Sequence, residues 1–488
     1  MTEIYSALIE FAASHKAWLA TALAAIIAAL GILSALEAIM KARTAQGAVA
    51  WAIVLIGFPP VFVPLYWVFG RRKFRGYAIA KRGDPSEILQ IADQLNTKYL
   101  DFPAENSNNE DRLVALSRLA NLPFCCGNNA ELLINGEMAF ARMFAQISSA
   151  KQYVLLEFYI LRNDHIGQRL AELLKAKVAE GVAIYFLYDE IGSIKLDGQY
   201  IADLQQAGIH IHAFNSTKGT GNRFQLNFRN HRKILVVDGE VCTIGGMNIG
   251  DEYCHKHPVL SPWRDTGLEM RGPVVQAVQL AFLEDWYWAR ENLPALNWRP
   301  HATKETSQNC LILSSGPADS LEACALFFLN MISQARERLW IVSPYFVPDA
   351  SIVHALQLAA MRGVDVRIML PEKPDKLIIK LSSFSAIRET LPQGVQFYYY
   401  QQGFLHQKVL LVDDDISSIG TANLDNRSLR LNFEITAVIH DRDTAQRVES
   451  MLLEDFKHCR QLLQKEVDRW SFPRRLLSRC AYLFAPLQ

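Results

Sequence analysis

The sequence reads His231-Arg-Lys-Ile-Leu-Val-Val-Asp238 at one point and His406-Gln-Lys-Val-Leu-Leu-Val-Asp413 at another, 175 positions later. A glycine and an asparagine follow each stretch at the same spacing: Gly245 and Asn248 after the first, Gly420 and Asn423 after the second. Agreement at five polar or glycine positions, with matching apolar residues between them, indicates that the chain is internally duplicated.

The duplication extends upstream of both motifs. In each half a buried strand is followed by a helical stretch, a glycine that caps the helix, and a second strand. These segments are 153–159, 165–180, Gly181 and 182–188 in the first half, and 339–345, 350–362, Gly363 and 364–370 in the second. Such alternation predicts an α/β protein of two similar lobes, each a central mixed sheet flanked by helices. An N-terminal two-helix transmembrane anchor is predicted to precede the two lobes.

Two uncharged runs near the N-terminus predict that anchor. Residues 17–36 and 47–70 are 20 and 24 residues long, and a helix needs about 20 apolar residues to cross a bilayer. We predict spans at about 17–39 and 47–70. A signal peptide is the disfavoured alternative, since the first run is long for one and acidic residues precede it.

Two features of the anchor bear on its geometry and orientation. Prolines 59, 60 and 64 kink the second span or break it into a re-entrant hairpin. The basic cluster at 71–75 is stronger than the pair Lys41 and Arg43 in the connector. The positive-inside tendency therefore predicts a multi-pass membrane protein with a cytoplasmic catalytic region and both termini on that side.

The remaining boundaries follow from composition. We predict an anchor over 1–75, a linker over 76–110, a first lobe over 111–300 and a second over 301–488. The basic, aromatic C-terminal tail from Arg469 is either a membrane-surface element or a docked helix. With 50 basic and 50 acidic residues the chain is neutral, so no nucleic-acid partner is expected.

The eight cysteines form no C-x2-C pair. They are typical of reduced thiols rather than of a disulfide framework. Cys125-Cys126 could be a redox pair or a buried structural pair, and the second reading is favoured.

The spacing of each motif gathers polar groups around one small space. His231 and Lys233 are two apart on a strand and project from the same face. A turn at Asp238-Gly239 returns the chain, which brings Gly245 and Asn248 back beside them. In the second half a turn at 413–415 brings Gly420 and Asn423 back beside His406 and Lys408 in the same way.

An imidazole, an ammonium and an amide suit a phosphodiester. Lys233 and Lys408 supply positive charge to the non-bridging oxygens, and Asn248 and Asn423 can donate hydrogen bonds to them. One imidazole can attack phosphorus while the other protonates the leaving oxygen. We therefore predict a catalytic set of two H-x-K-x4-D motifs and a substrate-binding set of the asparagines with Gly245 and Gly420. The motif aspartates, Asp238 and Asp413, are interpreted as structural residues that hold the turns.

Each histidine needs an orienting partner, often a carboxylate. Asp265 and Glu434, each at the start of a strand-like stretch after one motif, are the candidates, and Glu269 and Asp425 are weaker ones. The sequence contains no H-E-x-x-H and no paired Cys/His ligand spacing, so no metal site is predicted.

These residues resemble the phospholipase D superfamily, whose signature is a duplicated H-x-K-x4-D with a following G-x-x-N segment. The likeness runs from about residue 111 to the end. Several stretches resemble bacterial cardiolipin synthases more specifically: 262–266, 344–349, 405–408, 420–425 and 431–436.

The resemblance implies that one phosphatidylglycerol donates its phosphatidyl group to a histidine, with release of glycerol, and that a second phosphatidylglycerol accepts it. It implies that His231 is the nucleophile and His406 the acid/base, that no cofactor is required, and that phospholipid and membrane are the partners. It also implies that the membrane is the bacterial inner membrane. A homo-oligomer stays open. A lipid hydrolase with water as acceptor, a nuclease and a non-enzymatic scaffold are the rival readings. Neutral charge disfavours the nuclease, and two complete motifs disfavour the scaffold.

Overall fold

The structure is a computed structural model that describes residues 16–42, 44–70, 74, 77, 86–104, 111–214, 227–304 and 307–488. The chain divides into two compact units, which are described separately. One consists of residues 1–74 with 217–227, and the other of 75–216 with 228–488.

The N-terminal unit is built from apolar helices: α1 (Lys16–Lys41), α2 (Ala45–Gly57) and α3 (Pro59–Leu65), which continues as a π-helical turn (Tyr66–Gly70). Among the described residues, α1 is the one helix long and apolar enough to cross a membrane. The predicted span over 47–70 is not one continuous helix, because it breaks at Phe58 (φ −144°, ψ 63°). The residue before a proline is disfavoured in the helical region, and Pro59 begins the next helix.

Both short helices pack along α1. A Cβ atom at Gly31 would lie 2.5 Å from the carbonyl oxygen of Leu55 and 2.8 Å from Cβ of Pro59. The missing side chain therefore lets the helices approach closely. Ala35, Ala38 and Leu55 are among the buried residues of this small core.

Much of the predicted linker is ordered on the second unit. Residues Ser86–Tyr99 form helix α4, and Ile88, Leu95 and Tyr99 are buried in the largest hydrophobic cluster. The Tyr99 hydroxyl donates to the carbonyl of Pro273. The sequence of 101–111, rich in asparagine and acidic residues, predicts a loop. Residues 105–110 of it lie outside the described residues, and Pro103 forms an isolated β-bridge with Cys125.

Helix α5 (Asp111–Ala120) was expected to begin the first lobe. Its buried residues Leu113 and Leu116 instead join Phe327 and Ile332 of the second half in one core. The first half therefore contributes a helix to the packing of the second.

The first lobe follows in chain order. Its elements are β1 (Cys125–Ile134), α6 (Asn135–Ser149), β2 (Tyr153–Phe158), α7 (His165–Ala179), β3 (Ala183–Tyr188), α8 (Gly198–Gln206), β4 (His210–Ala213), β5 (Arg229–Asn230), β6 (Lys233–Val237), β7 (Val241–Gly245), β8 (Trp263–Arg264), β9 (Thr266–Arg271) and α9 (Val275–Arg290).

The second lobe repeats the order of the main strands and helices and adds several short elements. Its elements are β10 (Gln308–Ser315), α10 (Ala323–Gln334), β11 (Arg338–Val342), β12 (Phe346–Val347), α11 (Ala350–Met361), β13 (Asp365–Pro371), α12 (Leu377–Thr390), β14 (Gln396–Tyr400), β15 (Phe404–Leu405), β16 (Val409–Val412), β17 (Ile416–Gly420), β18 (Leu424–Asp425), α13 (Asn426–Arg430), β19 (Asn432–His440), α14 (Arg442–Lys457), β20 (Cys459–Gln461), α15 (Gln464–Asp468) and α16 (Phe472–Tyr482). The predicted strands, helices and hairpins of both halves are confirmed.

The two lobes share one mixed sheet. Its order is β4-β3-β2-β6-β7-β9-β1 in the first lobe, continuing as β10-β19-β17-β16-β11-β13-β14-β20 in the second. The halves meet where β1 pairs antiparallel with β10, and corresponding strands lie at corresponding distances from this seam. The mixed α/β sheet was predicted, but its continuity across the lobes was not, because a duplicated sequence does not reveal which edges pair.

The C-terminal helix α16 docks on α12. The Ser478 hydroxyl donates to the carbonyl of Leu381 at 2.7 Å, while Phe472, Leu476 and Leu477 stay exposed. Docking, one of the two alternatives from the sequence, is therefore observed.

All eight cysteines are free thiols, as predicted. Burial raises the pKa of the Cys125 thiol to about 12, which agrees with a structural rather than a redox role.

Candidate active site

The strand that leads into each motif pairs with the opposite lobe. Parallel pairing joins β5, just before His231, to the start of β19, and β15, just before His406, to β8. The backbone N–H of His231 donates to Phe433, and that of His406 donates to Arg264. Each histidine is therefore placed beside a strand of the other half.

This pairing gives each imidazole a carboxylate from the other lobe. His231 Nδ1 lies 2.9 Å from Oε2 of Glu434, and His406 Nδ1 lies 2.7 Å from Oδ2 of Asp265. Both predicted orienting carboxylates thus contact a histidine. Since an ionised carboxylate only accepts hydrogen bonds, each Nδ1 carries its proton and each Nε2 keeps its lone pair.

The two carboxylates differ in their other contacts. Glu434 also accepts from the hydroxyls of Thr421 (2.5 Å) and Ser428 (2.7 Å) and from the amide of Asn432 (3.0 Å). Burial by itself would raise the pKa of Glu434, but His231, the charge of Lys233 and the hydrogen bond from Thr421 lower it to about 2. Asp265 accepts, besides His406, from the backbone N–H of Thr266 (2.8 Å).

The motif lysines are buried beside the histidines. Lys233 Nζ donates to the carbonyl of His231 at 2.6 Å, and Lys408 donates to the carbonyl of His406 in the same way. Burial lowers the pKa of Lys233 to about 7 and that of Lys408 to about 8. Each lysine therefore keeps further N–H groups in a space where its charge lacks solvation, which favours an anionic ligand.

The charges of the two lobes act on one another. Burial lowers the pKa of both His231 and His406 to about 4. Lys408 contributes to the lowering at His231, and Lys233 contributes to it at His406. The four groups therefore belong to one electrostatic site, in which both imidazoles are neutral near pH 7.

The motif aspartates lie at the turns, at the far ends of the hairpins. The Asp238 carboxylate accepts from the backbone N–H groups of Lys151, Gln152 and Tyr153, each at 2.8 Å. Asp413 does the same at the start of β11, with Arg336, Glu337 and Arg338. Both residues have a positive φ, 54° and 52°. They anchor the central strand of each lobe to the motif hairpin.

The predicted asparagines are not equivalent. Asn248 is held by two contacts, because its Oδ1 accepts from the N–H of Ile160 and its Nδ2 donates to the hydroxyl of Tyr253. Asn423 is buried, and its Oδ1 makes no hydrogen bond. The side-chain oxygen of Asn423 can therefore still accept a hydrogen bond, whereas that of Asn248 is already used.

The predicted glycines adjoin neighbouring strands. A Cβ atom at Gly245 would lie 2.5 Å from Cα of Gly267, and one at Gly420 would lie 2.4 Å from the carbonyl oxygen of Ile435. Close packing within the sheet accounts for glycine at both positions.

The two weaker carboxylate candidates have other contacts. Glu269 binds Arg142 (2.8 Å) and Arg271 (3.3 Å). Asp425 caps α13 through the N–H of Ser428. Neither makes a hydrogen bond to a motif histidine.

Sequence reasoning missed two buried ion pairs next to the site. Arg232, within the first motif, binds Asp285 of α9 (2.5 Å), and Arg264 binds Asp455 of α14 through two hydrogen bonds (2.7 and 2.8 Å). The second pair joins the lobes directly. In the sequence both arginines stand among other polar residues of the motif regions, so nothing marks them as buried or identifies their partners.

A duplicated sheet that brings two H-x-K hairpins into one electrostatic site defines the phospholipase D-like class. The family described as cardiolipin synthase, PLD-like domain, matches residues 143–261 and 328–456, one motif in each match. The chain belongs to this family.

Two relatives and one solved structure are similar to the chain. Cardiolipin synthase A of Pseudomonas putida is 45% identical over 476 residues, which are 97% of this chain and 99% of that protein. Cardiolipin synthase A of Pseudomonas aeruginosa is 45% identical over 466 residues, 94% of each. The crystal structure of phosphatidylserine synthase from Haemophilus influenzae covers 78% of this chain and 100% of its own, with a TM-score of 0.59 at 16% identity, which is a likeness of fold.

Proposed function

We propose that this protein is a cardiolipin synthase that transfers a phosphatidyl group between two phosphatidylglycerol molecules through a phosphohistidine. The observation that carries the proposal is the pair of carboxylate-held imidazoles, one from each motif, in one site with two buried lysines. The relatives named cardiolipin synthase A support the same activity.

In the first step Nε2 of His231 attacks phosphorus while His406, protonated once the anionic lipid has bound, gives its proton to the departing glycerol oxygen. In the second step the primary hydroxyl of the second phosphatidylglycerol gives its proton to His406 and attacks phosphorus, which breaks the P–N bond to His231. Cardiolipin and one glycerol are the products. Lys233 and Lys408 hold the non-bridging oxygens, and the asparagines assist them.

The contacts of the two carboxylates support this division of roles. Asp265 shares its charge with fewer donors than Glu434 does. It is therefore the better partner for an imidazolium, which favours His406 as the acid. Glu434, whose charge is spread over three further donors, fixes the orientation of a neutral His231.

The test uses purified protein in detergent–lipid micelles with phosphatidylglycerol labelled on the headgroup glycerol or on the phosphorus, without added metal or nucleotide. We expect cardiolipin and free glycerol in equal amounts, and neither product with His231→Ala. A brief reaction quenched in base should leave phosphorus label on the parent protein and none on His231→Ala. Phosphatidic acid as the main product would instead make the protein a phospholipid hydrolase.

We further propose that the N-terminal unit is a two-span anchor of the bacterial inner membrane and that the catalytic region is cytoplasmic. The length of α1 and the packing of α2 and α3 along it support two antiparallel passes. Alkaline phosphatase, active only outside the cytoplasm, would be fused after Thr44 and after Gln488. We expect activity from the first fusion alone, and activity from the second would overturn this orientation.

A further inference from the structure

Helix α16 turns its small residues toward the protein and its large apolar residues toward solvent. Its buried residues are Ser478 and Ala481. The large apolar residues of α16 and of the two positions after it are exposed: Phe472 (69%), Leu476 (52%), Leu477 (55%), Leu483 (78%) and Phe484 (54%). A helix that docks through a hydrophobic face shows the opposite pattern. The apolar side chains of α16 are therefore left for a partner outside the catalytic fold.

The exposed side of α16 is continuous along the helix. Its members are spaced by four, four and three positions: Phe472, Leu476, Cys480 and Leu483. This spacing places them on one side of the helix, which we call the apolar stripe. The opposite side faces α12, where the Ser478 hydroxyl is bonded. Soluble proteins rarely leave a contiguous apolar surface uncovered, so the apolar stripe marks an interaction surface.

Two arginines flank the apolar stripe. Arg475 is three positions after Phe472, and Arg479 is three positions after Leu476, so each is a neighbour of a stripe residue on the helix surface. Both arginines are exposed. Arg479 Nη1 lies 3.7 Å from the carboxylate of Glu389, with both side chains about half exposed, which is a weak ion pair. An apolar side with cations along its edge is typical of a helix that lies in the surface of an anionic bilayer.

Further apolar surface is exposed where α12 begins. Ile379 of α12 and Ala485, which follows α16, share a small buried cluster. The residues two positions before them, Leu377 and Leu483, are both exposed. Exposed leucines thus lie next to the same buried contact on both sides of it.

The residues after α16 connect the apolar stripe to the active site. The carbonyl of Leu487 accepts from Nη1 of Arg427 at 3.1 Å, and that of Gln488 accepts from the backbone N–H of the same arginine at 2.8 Å. Arg427 directly precedes Ser428, whose hydroxyl donates to the active-site carboxylate of Glu434. Hydrogen bonds within one unit therefore join the segment after α16 to the catalytic site.

We propose that the apolar stripe inserts into the surface of an anionic phospholipid bilayer, with Arg475 and Arg479 at the level of the lipid phosphates. The catalytic unit thereby has a membrane contact of its own, in addition to the N-terminal anchor. A bilayer offers hydrocarbon to the apolar side chains and phosphate to the arginines at successive depths. A second copy of the chain fits less well, because a symmetric contact would bring the arginines of both helices together.

Cys480 is a natural reporter for this contact, since it lies in the apolar stripe and its thiol is free and exposed. The full chain and its Cys480→Ser variant are labelled with a thiol-reactive fluorophore and placed in nanodiscs of phosphatidylglycerol and phosphatidylcholine. Some of the lipid carries a spin label on its acyl chain. The difference between the two proteins is the signal from Cys480. We expect the spin label to reduce this signal by about twofold or more, and to reduce it less in nanodiscs of phosphatidylcholine alone.

Two variants control the measurement. The double variant Arg475→Gln/Arg479→Gln should reduce the quenching in phosphatidylglycerol nanodiscs to the level seen with phosphatidylcholine, because each cation adds attraction to an anionic surface. Leu358→Cys in the Cys480→Ser background is the matched control. Leu358 is 56% exposed on α11, a helix whose sequence contains neither lysine nor arginine, and its fluorophore should stay unquenched.

Each outcome discriminates. An unquenched Cys480 signal in phosphatidylglycerol nanodiscs would overturn the proposal, and so would equal quenching at Leu358→Cys. Quenching that is unchanged in the arginine variant would overturn the assignment of the arginines to lipid phosphates. A Cys480 signal that shifts with protein concentration in lipid-free detergent would assign the apolar stripe to a second copy of the chain instead. No turnover is needed, so failure of the proposed transferase activity would leave this measurement unaffected.

Discussion

His231 and Glu434 lie 203 positions apart in the chain, yet the imidazole Nδ1 is 2.9 Å from the carboxylate oxygen. The mirror relationship joins His406 to Asp265 across the same seam. Neither lobe can orient its own histidine, so the site is complete only when the two lobes are joined.

Replacing either carboxylate by its amide should therefore reduce turnover with little effect on lipid binding. For Glu434→Gln and Asp265→Asn we expect kcat to fall by roughly 10²- to 10⁴-fold, because the imidazole loses its orientation and the partner for its positive charge. Measuring kcat and KM in mixed micelles checks this. A change confined to KM would show that the carboxylates act on lipid binding instead.

Replacing the motif aspartates should affect stability more than chemistry. Asp238→Ala removes the acceptor of three backbone N–H groups, which should lower the free energy of unfolding by about 2–4 kcal/mol. Urea denaturation measures the loss, and kcat per folded molecule should stay within about tenfold of the parent. Asp413→Ala is the internal replicate. A variant that folds normally but is inactive would contradict this structural reading.

The pH dependence of kcat/KM should reflect the titration of the two motif lysines, Lys233 and Lys408. Their pKa values of about 7 and about 8 lie below the usual value because the ammonium groups are buried. Raising the pH through this range removes the positive charge that attracts the phosphate, so kcat/KM, which reports the free enzyme, should fall above about pH 8. In the double variant Lys233→Arg/Lys408→Arg, where both charges persist, any residual activity should lose this alkaline limb. An unchanged limb would assign the titration to another group.

The ion pair between the lobes should be strongly coupled. Arg264→Met leaves the buried Asp455 without its ion-pair partner, although Gln407 still donates to it. This should cost about 3–5 kcal/mol of unfolding free energy. Adding Asp455→Leu should recover a large part of that loss, since the uncompensated charge is then gone. Urea denaturation of both single variants and the double variant completes the cycle. Additive losses would show that the pair contributes no coupling.

The sequence by itself determined the chemistry and the local structure. A duplicated H-x-K-x4-D predicts two hairpins, because alternation fixes which side chains share a face and Asp238-Gly239 and Asp413–Asp415 fix the turns. It also selected both carboxylates, since acids at the start of apolar strands are few. The uncharged run also predicted the long apolar helix α1. The prolines predicted either a kink or a break in the second apolar run, and the structure shows a break at Phe58.

Only the tertiary structure decided which carboxylate contacts which motif histidine. Which carboxylate contacts which histidine depends on β5 pairing with β19 and on β15 pairing with β8. These pairings join Arg229 to Asn432 and Trp263 to Phe404, segments 203 and 141 residues apart, and periodicity does not encode them. The same contacts place Arg229 and Phe404 at equivalent positions beside the two histidines. Side-chain alternation predicts the face of the strand on which a residue lies. The residue that it contacts there depends on which strands pair, and this is set by backbone hydrogen bonds between the two lobes.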